Sequence, residues 1–321
     1  MTERSVQNDR ASVQNDTNVK NDKLKQTKSM SDKMRNLLVR TASGVVLLGI
    51  VLAAAYGGKY AYGCFLLLVV VVGMWEFYNI AAATGATPHR TLGLASGIVL
   101  FVTSYFLFDG YVDPVTSSYS VDMLIGGVLY FTVLIPLCFI VELFHDAETP
   151  LRNVATTLMG IFYVAYPMSL MLFIPLLITG EWSPEAFLFY LFIVCGNDVF
   201  AYLTGVVFGK HKMCPRISPK KSWEGFAGGV VGAMAMGALG SYVVGGGVGM
   251  WLGLAFVVSI TSVFGDLVES MFKREANIKD SGNIMPGHGG MLDRFDALLI
   301  SSPFAFVYLL GASFLLENYL Y

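Results

Sequence analysis

Charge is what this chain has little of. Of its 321 residues, 14% are Asp, Glu, Lys or Arg, against about 25% in an ordinary soluble domain. That is too little to cover a water-facing surface, which excludes a soluble globular protein. Residues that build disulfide or zinc frameworks are also few. Cys64, Cys138, Cys195 and Cys214 are scattered with no CxxC pair and read as small apolar fillers. His89, His145, His211 and His288 are equally dispersed, so no His/Cys zinc site is legible. Met1 to Met34 lacks aromatic residues and an apolar core, which excludes a signal peptide there. The net charge of −2 says little by itself, and nucleic acid is not among the expected partners.

What is abundant is apolar: 55% of residues are hydrophobic and mean hydropathy is +0.61. Nine apolar spans follow one another, at about 37–56, 60–83, 92–108, 123–144, 154–179, 184–208, 226–244, 250–269 and 297–316. Each is near the ~20 residues a helix needs to cross the hydrocarbon. With the amino end placed in the cytoplasm, 20 of the 21 cationic residues fall on that side, leaving Lys59 outside, as the positive-inside rule requires. The expected fold is therefore an all-α polytopic membrane protein of about nine transmembrane helices, N-terminus cytoplasmic and C-terminus opposite. Residues 1–34, with an imperfect seven-residue tandem repeat and a cationic end, read as a disordered cytoplasmic tail that touches anionic headgroups. Residues 35–190 read as a scaffold with a lipid groove, and 191–321 as the catalytic region. The longest outside loop, 109–122, has no cation, so no domain is expected on that face.

The polar residues concentrate between the last two spans. Asp266, Glu269 and Lys273 lie at i, i+3, i+7, on one face of a helix, and Asp293 and Asp296 are again i, i+3. Carboxylates at two helix ends, joined by a Gly-rich cationic loop, suit a hard divalent metal with a phosphate. A second loop carries five cations over twelve positions, Lys210 to Lys221. It serves either as topogenic charge or as a polyphosphate site. Asp198, within the sixth span, is costly in lipid unless it faces a polar cavity. Glu76, between Trp75 and Phe77 near the end of the second span, is a fainter candidate, its alternative being an interfacial acid in an aromatic belt. Gly225/Gly229 and Gly228/Gly232 form GxxxG pairs, which serve internal packing or a homodimer.

The run Ser270-Met-Phe-Lys273-Arg274, then Lys279-Asp280, then Pro286-Gly-His288-Gly-Gly-Met-Leu-Asp293-Arg294-Phe-Asp296 resembles the signature of CDP-diacylglycerol synthases (phosphatidate cytidylyltransferases), gap-free over 27 positions. Ser218-Pro-Lys-Lys221-Ser222-Trp-Glu224-Gly225 resembles a second motif of that family. Asp198-Val-Phe-Ala201-Tyr202 resembles a third, although Cys195-Gly196 stand where Trp-Ala is expected.

The resemblance implies that CTP and phosphatidate give CDP-diacylglycerol and pyrophosphate, at an active site facing the cytoplasm of a bacterial plasma membrane. A phosphate monoester is largely ionised at neutral pH, its second pKa being about 6, so charge neutralisation rather than a strong base is the chemical need. The expected catalytic residues are Asp198, Asp266, Lys273, Asp293 and Asp296. Asp266, Asp293 and Asp296 are the expected ligands of Mg²⁺, one ion or two. Ser218, Lys221, Ser222, Glu224, Arg274, Lys279, His288 and Arg294 are the expected contacts to CTP and to phosphatidate of the cytoplasmic leaflet. Two alternatives stand beside this reading: a CTP-dependent transferase acting on another lipid phosphate, and a cation- or proton-coupled transporter built on the intramembrane acids.

Overall fold

The computed structural model describes Met34 and residues 38–113, 117–145, 147–287 and 289–319. The tail expected over 1–34 lies, apart from Met34, outside the described residues, as does His288. Two compact units form. The smaller comprises Met1–Gly49 and Met285–His288, and within it the Ser43 hydroxyl donates to the Pro286 carbonyl at 3.0 Å. The larger comprises Ile50–Ile284 and Gly289–Tyr321.

Among the described residues, nine helices are long and apolar enough to cross a membrane. They are α1 (Leu38–Tyr56), α2 (Gly58–Ala83), α3 (Arg90–Val112), α4 (Ser117–Leu143), α5 (Pro150–Thr179), α6 (Pro184–Phe208), α7 (Trp223–Val244), α8 (Val248–Glu275) and α9 (Leu292–Tyr319). In hydrocarbon every backbone polar group must find a partner inside the protein, which is why helices carry the spans. Outward side chains are apolar, as at Val206, Val207 and Phe208 of α6. The chain is an integral membrane protein. A short antiparallel hairpin, β1 (Lys212–Cys214) and β2 (Ser218–Ser222), joins α6 to α7, with Lys212 opposite Ser222.

Two helices are enclosed by the rest. In α2 and α5, 61% and 67% of the apolar window is buried, against 22% in α6. The span α5 is interrupted: a π-turn occupies Ile161–Ala165 and the helix restarts at Ile174. Pro175 has no N–H to give the Met171 carbonyl. Instead Tyr62 of α2 donates its hydroxyl to that carbonyl at 2.7 Å. An interruption that would leave a carbonyl bare in lipid is thereby satisfied from the neighbouring core helix.

The last two spans extend beyond their apolar windows. Helix α8 continues to Glu275 and α9 begins at Leu292. Some polar residues of those segments face protein, Glu269 being fully buried and Lys273 and Asp296 each 9% exposed, while Arg274, Glu275 and Arg294 face outward. The glycines of α7 lie against α6: a Cβ on Gly225 would sit 2.8 Å from the Ala201 carbonyl, and one on Gly229 would sit 2.9 Å from that of Asn197. The GxxxG face is used inside the chain and lends no support to a homodimer.

Candidate active site

The site begins where α8 crosses α9. A Cβ on Gly265 would lie 2.5 Å from the Asp296 carbonyl and 2.9 Å from Ala297 Cα, so only glycine lets the helices approach this closely. That approach sets Asp266 beside Asp296, and one turn further along α8 stands Glu269. One carboxylate oxygen from each of Asp266, Glu269 and Asp296 lies within 4.8 Å of the other two. Glu269 Oε2 is paired with the Lys273 ammonium, and among the described residues its buried Oε1 has no hydrogen-bond donor. Two like charges at that separation repel by roughly 3–4 kcal/mol at an effective dielectric of about 20. The trio therefore has the donor set, the spare oxygens and the excess charge of a divalent-cation site.

Two ammonium groups flank it. Lys221, from β2, pairs with Asp266 Oδ2 at 2.6 Å and donates to the Val263 carbonyl at 3.2 Å. Lys273 bridges Glu269 and Asp293, the latter at 2.6 Å. With the residues that line the adjoining cleft, five carboxylates (Asp198 included) stand with four ammonium groups, Lys212, Lys220, Lys221 and Lys273, among the described residues. Beside Lys221 opens a cleft of about 540 Å³ lined by Asp198, Tyr202, Ser218, Lys220, Lys221 and Asp266. Its size suits a small ligand, and it joins three sequence motifs: α6, the hairpin and α8.

Asp293 does not join the acid trio. Its Oδ1 takes Lys273, while Oδ2 accepts from Ser281 N (2.9 Å), the Ser281 hydroxyl (2.9 Å) and Gly290 N (2.8 Å). It holds the α8–α9 connection in shape, and Glu269 stands in the acid group where the sequence pointed to Asp293.

The remaining expected residues divide. Ser218 lines the cleft. The Ser222 side chain borders it too, but also caps α7 by accepting from Gly225 N at 3.2 Å. Glu224 latches the hairpin base, accepting from Lys210 N and His211 N and meeting His211 Nδ1 at 2.6 Å. Arg274 donates to the Ile278 carbonyl at 3.4 Å. Lys279 and Arg294 are exposed.

Glu76, the fainter candidate of the sequence, has a place that sequence reasoning did not foresee. It is no interfacial acid: only 2% of it is exposed. Its carboxylate accepts from Met291 N (3.1 Å) and Leu292 N (2.8 Å) and lies 3.2 Å from the Ser281 hydroxyl. The cost of an acid inside an apolar run, which singled out Asp198, applied equally here.

The model of the cytidylyltransferase family matches residues 38–311. A phosphatidate cytidylyltransferase of Haemophilus influenzae is 30% identical over 278 residues, covering 83% of this chain and 96% of its own. That of Mycobacterium bovis is 50% identical over 119 residues, 36% of this chain and 38% of the relative. That of Staphylococcus aureus is 45% identical over 118 residues, 36% and 45% of the two chains. The match to the mycobacterial relative thus spans well under half of its length. With the family model matched from α1 into α9, this chain belongs to the cytidylyltransferase family.

Proposed function

We propose that the chain is a phosphatidate cytidylyltransferase, joining CTP to phosphatidate to give CDP-diacylglycerol and pyrophosphate. The observation that carries the reading is the trio Asp266, Glu269 and Asp296 beside a cleft faced by Lys221, in a family whose similar members bear that name. A phosphate oxygen of the lipid attacks the α-phosphorus of CTP; the new P–O bond forms as the bond to the β-phosphate oxygen breaks, and pyrophosphate leaves with the electron pair. The lipid phosphate is already ionised at neutral pH, so the protein's task is to bring two polyanions together.

The acid trio fits Mg²⁺, since its three carboxylates converge within 4.8 Å and Glu269 Oε1 has no donor among the described residues. When bound, that ion supplies charge neutralisation and orients phosphate oxygens. Lys221 and Ser218 offer an ammonium and a hydroxyl to a phosphate in the cleft. Lys273 keeps Glu269 and Asp293 compensated in their buried setting. Asp198 bears on the same cleft and orients its cations. The positive-inside distribution of Lys and Arg supports a cytoplasmic opening, and bacterial relatives support the plasma membrane.

The test is transfer of label from CTP to lipid by detergent-solubilised protein, with and without EDTA. Metal-dependent CDP-diacylglycerol is the expected product. Turnover with another lipid phosphate and none with phosphatidate would replace the substrate; no product from any lipid phosphate, in folded protein, would overturn the reading.

A further inference from the structure

We infer that Glu76 is a positioning residue for this site: a buried carboxylate on α2 that clamps the start of α9. The first N–H groups of a helix have no partner within it and usually find one in a Ser, Thr, Asp or Asn just before the helix. Here Gly290 and Met291 precede Leu292 and offer no such side chain. Glu76 supplies the acceptor instead, one oxygen for Met291 N and the other for Leu292 N. A negative charge at a helix N-terminus is favourable, and the geometry fixes where Asp293 and Asp296 project, one and four residues further on.

The surroundings are shaped to admit this group. A Cβ on Gly282 would fall 2.8 Å from Glu76 Cδ, and one on Gly290 would fall 2.6 Å from its Oε1. Ser281 stands between the two carboxylates, 2.9 Å from Asp293 Oδ2 and 3.2 Å from Glu76 Oε2. Its hydroxyl has one proton, so Ser281 couples Glu76 to Asp293 and through it to Lys273. Because Glu76 touches the backbone of α9 and not the cleft, it acts through the aim of the α9 acids rather than on substrate.

Glu76→Gln keeps the shape but turns an amide NH₂ toward a backbone N–H, and Glu76→Asp shortens the reach by one methylene. Hydrogen exchange on the wild-type protein should find the Met291 and Leu292 amides protected like those inside α9. In both variants those two amides should exchange faster, while α2 and α5 remain protected and the melting midpoint moves by only a few degrees. On the proposed reading of the site, kcat should fall about 10- to 100-fold with KM for CTP changed less than about threefold, and Glu76→Asp should retain more than Glu76→Gln. Freely exchanging wild-type Met291 and Leu292 amides would overturn the clamp, whatever reaction is catalysed. So would full kcat in Glu76→Gln, or a loss of protection spread evenly over α2, which marks a merely structural acid. If the wild type transfers no cytidylyl group, the proposed reaction fails and the exchange measurement still decides the clamp.

Discussion

Two cation-bearing connections meet at the site, and they are held in opposite ways. The α6–α7 hairpin is latched by Glu224 to backbone N–H groups and to a His211 side chain that is 80% exposed. The α8–α9 connection is gripped by Asp293 and by Glu76, both buried among protein donors. Water competes with the first set of contacts and not with the second, so the same chemical device, a carboxylate accepting N–H groups, is weak in one place and strong in the other. The hairpin thus forms a solvent-facing rim, and the α8–α9 junction, with Asp296 buried beside it, forms an enclosed floor.

Substitutions in the floor should therefore be the harshest. Asp266→Asn or Asp296→Asn should lower kcat by about 10³-fold or more, as losing a metal ligand or a preorganised charge does; activity near wild type in labelled-CTP assays would remove both from the metal set. Next comes Lys273→Met, which leaves Glu269 and Asp293 buried without their cation. Breaking such a pair costs about 3–5 kcal/mol, so the melting midpoint in detergent should drop along with activity, and an unchanged midpoint would contradict the enclosed-floor picture. Lys221→Ala, at the boundary between the two regions, should separate the effects: about 10²-fold less turnover, chiefly through weaker CTP binding, with little change in melting because its pair with Asp266 is partly exposed. The smallest effect is expected at the rim, where Glu224→Gln should change kcat about twofold or less. A large loss there, measured in the same assay, would show that the hairpin's contacts count as much as the floor's.

The sequence shows the helices well because apolar length is a local property. The ranges 184–208 and 60–83 nearly coincide with α6 and α2. It undershoots α8 and α9, whose polar extensions look like loop when hydropathy alone is read; Lys273 and Glu269 satisfy one another inside the protein, and a hydropathy window has no access to that pairing. Asp198, Ser218, Lys221 and Asp266 were legible as members of one site, since acids in an apolar run and cations in a loop both ask for a polar cavity, and one cleft collects all four. Asp293 was legible as important, yet its partition from the acid trio depends on which way a side chain turns at the α9 start. Glu76 was legible as a faint candidate, but its contacts were not: its partners lie 205 to 216 residues away in the chain, far beyond any motif.

That separation has a bearing on biosynthesis. At about 5–20 residues per second, α2 is made roughly 10–40 seconds before the amides that will donate hydrogen bonds to its acid. During that interval the apolar span enters the bilayer carrying a carboxylate without its final partners, a state that intramembrane acids make expensive. Contacts of such high sequence separation also form slowly. The candidate site is consequently among the last parts of the molecule to be assembled, and a nascent chain stalled before α9 would display an unsatisfied acid within the membrane.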